Sequence, residues 1–190
     1  MKLDVPFYSY SDIQERCDTI LNQYHPSFSL PIPIDKIIEL KLKINVFPFP
    51  NLYRTHRLNG GLSCDRSTIY VDEYQYDTYY EKFRYTIAHE LGHFFLHSEM
   101  LEQLQFGDIE EFVQWRKNSD PDDIGWFEKH GDWFAENILV PTKQLYEVCS
   151  LVVDKHRPKF QKLEFVPDNA WSYIANEVAE HFQVNLETAI

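Results

Sequence analysis

Two histidines four residues apart, with a glutamate directly after the first, make His89-Glu90-Leu91-Gly92-His93 the segment best suited to chemistry. On a helix, positions i and i+4 lie one above the other, so both imidazoles can reach a single ion while Glu90 points to one side of it. Zinc suits such a pair because it accepts imidazole and carboxylate in tetrahedral geometry. A catalytic zinc site also keeps one position for water, so a third protein ligand is required. Glu90, beside that open position, is then placed to act as a general base.

His97 is the nearest further candidate. An uninterrupted helix carries it two turns, roughly 12 Å, beyond His89. No glycine between His93 and His97 lets the chain turn back, so His97 reads as structural or as the helix's C-terminal cation. The next long helix is the better source. Its Glu128-Lys129-His130-Gly131-Asp132 segment sets two carboxylates four residues apart on one face. Glu128 can bind as the third ligand, and Asp132 can accept the free ring N–H of a ligating histidine and fix its tautomer. Asp132, His130 and Glu136 remain alternatives for the third position, Asp132 foremost. Gly131, a poor helix former, makes sense where this helix packs closely on the one bearing His89. An oxyanion partner has several candidates, Tyr70, Tyr76, Tyr85, His56 and His130, and spacing selects none of them.

The elements that must position these residues are mostly helical. Helical spacing runs from Asp12 to Tyr24, and a short helix spans Ile34 to Leu42. Lys43 to Phe49 reads as a strand, Gly60-Gly61 as a tight turn or bulge, and Ser67 to Val71 as a second strand whose free edge could receive an extended peptide. Thr78 and Glu81 form a capping box for the key helix, and Phe83, Ile87 and Leu91 mark its core face. An acidic, partly helical stretch from Ser98 to Asn118 follows. Asp120 caps, and Pro121 opens, a helix expected to run to about Val140 and stop at Pro141. Two more helices near Thr142–His156 and Asp168–Phe182 complete a mainly helical α+β arrangement with a small antiparallel or mixed sheet.

At 190 residues and 44% hydrophobic content, the chain has the size of one domain with a buried core. We read it as a single unit over 1–190. An N-terminal helical extension covers 1–30, a core with the metal site 31–145, and C-terminal helices 146–190. Its apolar runs are far shorter than the roughly 20 residues of a membrane span, and no signal-peptide core follows Met1, so a cytoplasmic location is expected. Cys17, Cys64 and Cys149 are widely separated and form no CxxC pair, which argues against both disulfides and a thiolate metal site. The net charge of -12 disfavours direct nucleic-acid binding, which runs on clustered Lys and Arg.

Arg84-Tyr85-Thr86-Ile87-Ala88 leading into His89-Glu90-Leu91-Gly92-His93, and the later Phe134-Ala135 followed by an apolar stretch closed by Pro141, resemble the two signatures of the ImmA/IrrE family of zinc metallopeptidases. Pro33 to Val46 is similar to that family's helix-then-strand entry, and Phe182 to Ala189 looks like the start of its closing helix. The resemblance implies a zincin-like metallopeptidase domain that holds Zn2+ through His89, His93 and Glu128, with Glu90 catalytic. The family commonly has Asn, preceded by Ala, four residues after the glutamate ligand, where this chain has Gly131-Asp132. As substrate the resemblance implies a helix-turn-helix repressor, cleaved in a mobile-element or stress programme. A zinc-stabilised module that sequesters a regulator without cutting it is the alternative from another class. A small-substrate amidase is a third, and it would require a closed pocket.

Overall fold

The computed structural model describes residues 5–104, 106, 108–160 and 168–189. Helix α1 (Tyr10–Tyr24) opens with a reciprocal cap, in which the Ser9 hydroxyl accepts the Asp12 N–H and the Asp12 carboxylate accepts the Ser9 N–H. Helix α2 (Ile34–Lys36) runs directly into a π-helical stretch (Ile37–Leu42), which ends where Lys43 takes a left-handed conformation with φ 60°. Strand β1 (Asn45–Phe49), helix α3 (Leu52–His56), and strands β2 (Gly60–Leu62) and β3 (Thr68–Asp72) follow.

The sheet is mixed, with order β1-β3-β2, β1 parallel to β3 and β2 antiparallel to it. Pro48, which has no N–H to donate, lies on the edge strand β1, where a proline is tolerated. Two expectations are corrected here. Gly60 and Gly61 belong to strand β2; the chain turns later, at residues 63–67, where Asp65 accepts the Ser67 N–H and Arg66 has φ 59°. The segment expected to offer a free edge is the central strand β3, paired on both sides; the sheet's edges are β1 and β2, and β2 is the edge that packs on α5 beside Glu90.

Asp72 caps α4 (Glu73–Thr78) by accepting the Gln75 N–H, and its other oxygen accepts the Tyr53 N–H. That cap displaces the expected one. Thr78 already closes α4, the backbone breaks at Tyr79 (φ -126°, ψ 82°), and the key helix α5 (Tyr80–Leu96) begins without a side-chain cap. Short α6 (Ser98–Glu102) and α7 (Ile109–Asn118) lead to α8 (Pro121–Leu139), whose Asp120 cap and Pro121 start match the sequence reading. Helices α9 (Thr142–Phe160), α10 (Asp168–Phe182) and α11 (Leu186–Ala189) complete the order.

Helix α5 is the hub. It packs along α8 on one side and under β2 and β3 on the other, while α1 lies against the far side of α8. Ile87, Ala88 and Leu91 of α5 and Phe134, Ala135 and Ile138 of α8 are fully buried. Two glycines set the crossing distance. A Cβ at Gly92 would lie 2.8 Å from the Phe134 Cβ and 3.2 Å from the Gly131 Cα, and a Cβ at Gly131 would lie 2.7 Å from the His89 ring. Both parts of the Phe134 contact sit close to backbone, so Gly92→Ala cannot be relieved by a rotamer change. We expect it to cost about 1–3 kcal/mol of stability, as overpacking does, read as a lower denaturation midpoint at unchanged m-value.

Among the described residues, Arg84 is the largest fully buried side chain. Its guanidinium donates to the carbonyls of Ile32 (2.9 Å), Gln183 (3.1 Å) and Phe182 (3.4 Å), tying α5 to the segment before α2 and to the end of α10. Among the described residues, carbonyl acceptors rather than a carboxylate satisfy the buried cation.

Candidate metal centre

The i, i+4 geometry of α5 brings the His89 and His93 Nε2 atoms to 3.0 Å from each other. Glu128 on α8 reaches across the helix crossing, with its Oε2 3.5 Å from His89 Nε2. One ligand atom from each of His89, His93 and Glu128 lies within 4.8 Å of the others. Two ring nitrogens and a carboxylate oxygen converging on one point form a donor set that fits a zinc ion and leaves a fourth position. The same residues can hold other divalent metals.

The electrostatics of the cluster are those of groups sharing one positive charge. Burial pushes the His89 ring down, but hydrogen bonds to Asp132 and Glu128 outweigh it and hold the ring up to about 10. Burial and the neighbouring His89 drive His93 well below the usual histidine range. Burial acts against the Glu128 charge, yet its His89 hydrogen bond and Arg116 keep the carboxylate lowered overall.

Each histidine is oriented from behind. The Asp132 Oδ1 accepts the His89 Nδ1–H at 2.9 Å and the Tyr85 hydroxyl at 3.0 Å, so His89 presents Nε2 to the cluster. The structure therefore places Asp132 on the opposite nitrogen from the one facing Glu128. Glu136 lies near Asp132 and Tyr85, and burial raises it.

His93 stacks flat on Phe127, with centroids 3.9 Å apart, and its Nδ1 lies 2.9 Å from His97 Nδ1. His97 Nε2 in turn lies 3.2 Å from His130 Nδ1. If His93 presents the Nε2 lone pair to a metal, its Nδ1–H must donate to His97, whose Nε2–H then donates to His130. One tautomer choice runs through three rings. His97 is thus no helix-end cation: burial, with His130 and His89 adding, pushes it down to about 3 and leaves it neutral. His130 is fully buried within this relay, away from the metal cluster. We expect His97→Phe, which keeps the packing on Phe127 but removes the acceptor, to weaken zinc binding about 10–100-fold in a chelator competition.

Glu90 is buried beside the cluster, and burial lifts it to about 7, with His89 opposing, Glu128 adding, and Arg116 and the Leu62 N–H opposing. The Leu62 contact links it to β2. Gly60 makes that approach possible, since a Cβ there would come within 2.6 Å of the Thr86 methyl and 3.3 Å of the Glu90 Oε1. The cleft over these groups measures about 240 Å³ and is lined by His89, Glu90, Glu128, Tyr85, Arg57 and Arg116 among others.

Of the oxyanion candidates, only Tyr85 lines this cleft. Burial and Asp132 raise its hydroxyl far above the usual phenol range, so it stays a neutral donor. Tyr70 packs against Phe47 and Phe49, Tyr76 against Phe83, and His56 lies 3.9 Å from Glu110. Sequence reading missed Arg116 on α7, whose Nη1 sits 2.9 Å from Glu128 Oε1. No local pattern announces that contact, because α7 meets the cleft only through the tertiary fold. The His97 relay did have a signal, since His97 repeats the four-residue step from His93 on the same helix face.

A helix bearing HExxH, crossed by a second helix that supplies a carboxylate and flanked by a small mixed sheet, defines a mainly helical α+β, zincin-like fold. A peptidase family model, the IrrE N-terminal-like domain, matches residues 41–190, and the chain belongs to that family. None of the curated proteins matches the chain. Among the described residues, no helix is long and apolar enough to cross a membrane.

Proposed function

We propose that the chain is a cytoplasmic zinc-dependent endopeptidase that cleaves a helix-turn-helix transcriptional repressor in a mobile-element or stress-response programme. Family membership supports a metallopeptidase. The observation that carries the finer reading is Glu90. A buried carboxylate lifted to about 7 stands between the His89, His93 and Glu128 cluster and the free edge of β2. A site that only held a metal for stability would have four closed ligands and no need of a base.

His89, His93 and Glu128 would hold the zinc, which when bound acidifies a water and polarises the scissile carbonyl. Asp132 and His97 set the ring orientations of His89 and His93. Glu90 takes a proton from water and returns it to the departing amine nitrogen, a task matched to a group titrating near neutrality. Tyr85, a neutral phenol in the same cleft, would turn its single O–H from Asp132 to hydrogen-bond the carbonyl oxygen as charge builds there. The cleft is lined by Gly60 of the edge strand β2, along which an extended main chain can pair, which suits a peptide better than a small amide. The acidic chain also complements a basic DNA-binding partner and makes no call on nucleic acid itself.

The test mixes zinc-loaded protein with the repressor encoded beside it, with Glu90→Gln as the control. We expect discrete fragments from the intact protein alone. Equal fragmentation by both, or none by either, would overturn the proposal. Regulatory activity retained in Glu90→Gln but lost in His89→Ala would favour a zinc-stabilised module that sequesters its partner.

A further inference from the structure

A second cavity, of about 350 Å³, is lined by the same strand β2 and helix α7 that line the metal cleft. Its apolar walls are Phe49, Tyr70, Phe106 and Phe112, and Asp108 and Glu110 stand with them. The two spaces share their framework. Strand β2 lines the metal cleft with Gly60 and the cavity with Gly61 and Leu62; α7 lines the cleft with Arg116 and the cavity with Glu110 and Phe112.

Gly61 is what keeps this cavity open. It pairs with Tyr70 in the β2–β3 ladder and so faces the same side of the sheet, while Gly60 and Leu62 face α5. No glycine among the described residues has positive φ, and a Cβ at Gly61 would meet nothing within 4 Å. Neither backbone conformation nor crowding therefore requires glycine here, although glycine weakens a strand. What a side chain at this position would remove is the space itself.

An extended chain laid along the free edge of β2 passes Glu90 and sends alternate side chains to the two sheet faces. Resting on the peptidase reading above, we propose that this cavity is a specificity pocket. It receives one large apolar side chain, such as Phe, Leu or Met, from an extended segment of the protein substrate. The Asp108 and Glu110 carboxylates favour Lys or Arg beside that side chain and repel acidic neighbours. Gly61 is the specificity-determining position.

Cys64 lines the cavity and is partly exposed, which provides a reporter that does not depend on catalysis. In zinc-loaded protein carrying Glu90→Gln and Cys149→Ser, with Cys17 buried, maleimide reacts at Cys64. A saturating short capped peptide with Phe between basic residues is expected to slow that reaction about tenfold relative to the same peptide with Ala. Adding Gly61→Leu is expected to abolish the difference. Equal protection by the Phe and Ala peptides, or none by either, would overturn the assignment.

A cleavage arm uses Glu90-intact protein on a peptide mixture. We expect one position near the scissile bond to prefer large apolar residues and to lose that preference in Gly61→Leu. The same preference in both proteins overturns the pocket and leaves the peptidase standing. Selective protection of Cys64 without any cleavage leaves the pocket standing and removes the peptidase.

Discussion

Glu90→Gln is expected to lower kcat on the repressor by about a thousandfold, within the 10²–10⁴ that a positioned general base contributes, while the protein keeps its zinc and its fold. Glutamine has the size of glutamate and can still accept the Leu62 N–H through its side-chain oxygen, so β2 keeps its anchor. It cannot take a proton. His89, His93 and Glu128 are untouched, so metal analysis after dialysis should match the wild-type protein. Since burial already disfavours the Glu90 charge, a neutral residue there should leave stability unchanged or slightly higher. A variant that cuts at the wild-type rate would remove Glu90 from the mechanism.

What made this residue readable in the sequence was local geometry. The step from His89 to His93 needs only a helix, and the periodic Phe83, Ile87 and Leu91 guarantee one. Helix α8 was legible for the same reason: Asp120 and Pro121 mark its start, and Pro141 marks its end. The readings that failed depend on partners distant in sequence. Thr78 and Glu81 match a capping box, but Asp72, six residues upstream of Thr78, had already started a helix. Gly60-Gly61 has the composition of a turn, and only the position of α5 beneath it shows that the first glycine permits a close approach and that the second leaves a cavity open. The strand expected to offer an edge is central because β1 and β2 pair with it from opposite sides, which a single strand's pattern cannot reveal. Arg116 reaches Glu128 by the same kind of nonlocal packing.

The choice between Glu128 and Asp132 as third ligand can be made by two substitutions whose expected losses of zinc affinity differ more than tenfold. Glu128→Ala should weaken zinc binding more than a hundredfold, because a structural zinc site's 10–16 kcal/mol, spread over four ligands, gives roughly 3 kcal/mol for each. Asp132→Asn should weaken it less than tenfold. Its Oδ1 would still accept the His89 Nδ1–H at the position now 2.9 Å away, and the Tyr85 hydroxyl as well, so the ring keeps its tautomer. The difference between the two variants follows from which nitrogen of His89 each carboxylate meets: Glu128 lies on the Nε2 side with His93, and Asp132 on the Nδ1 side. Titration against a chelator of known affinity reads both variants on one scale. If Asp132→Asn loses the metal and Glu128→Ala retains it, the ligand is Asp132. The His89 ring would then have to turn over, a motion that Gly131 limits, since its Cα abuts the ring with no room for even a Cβ.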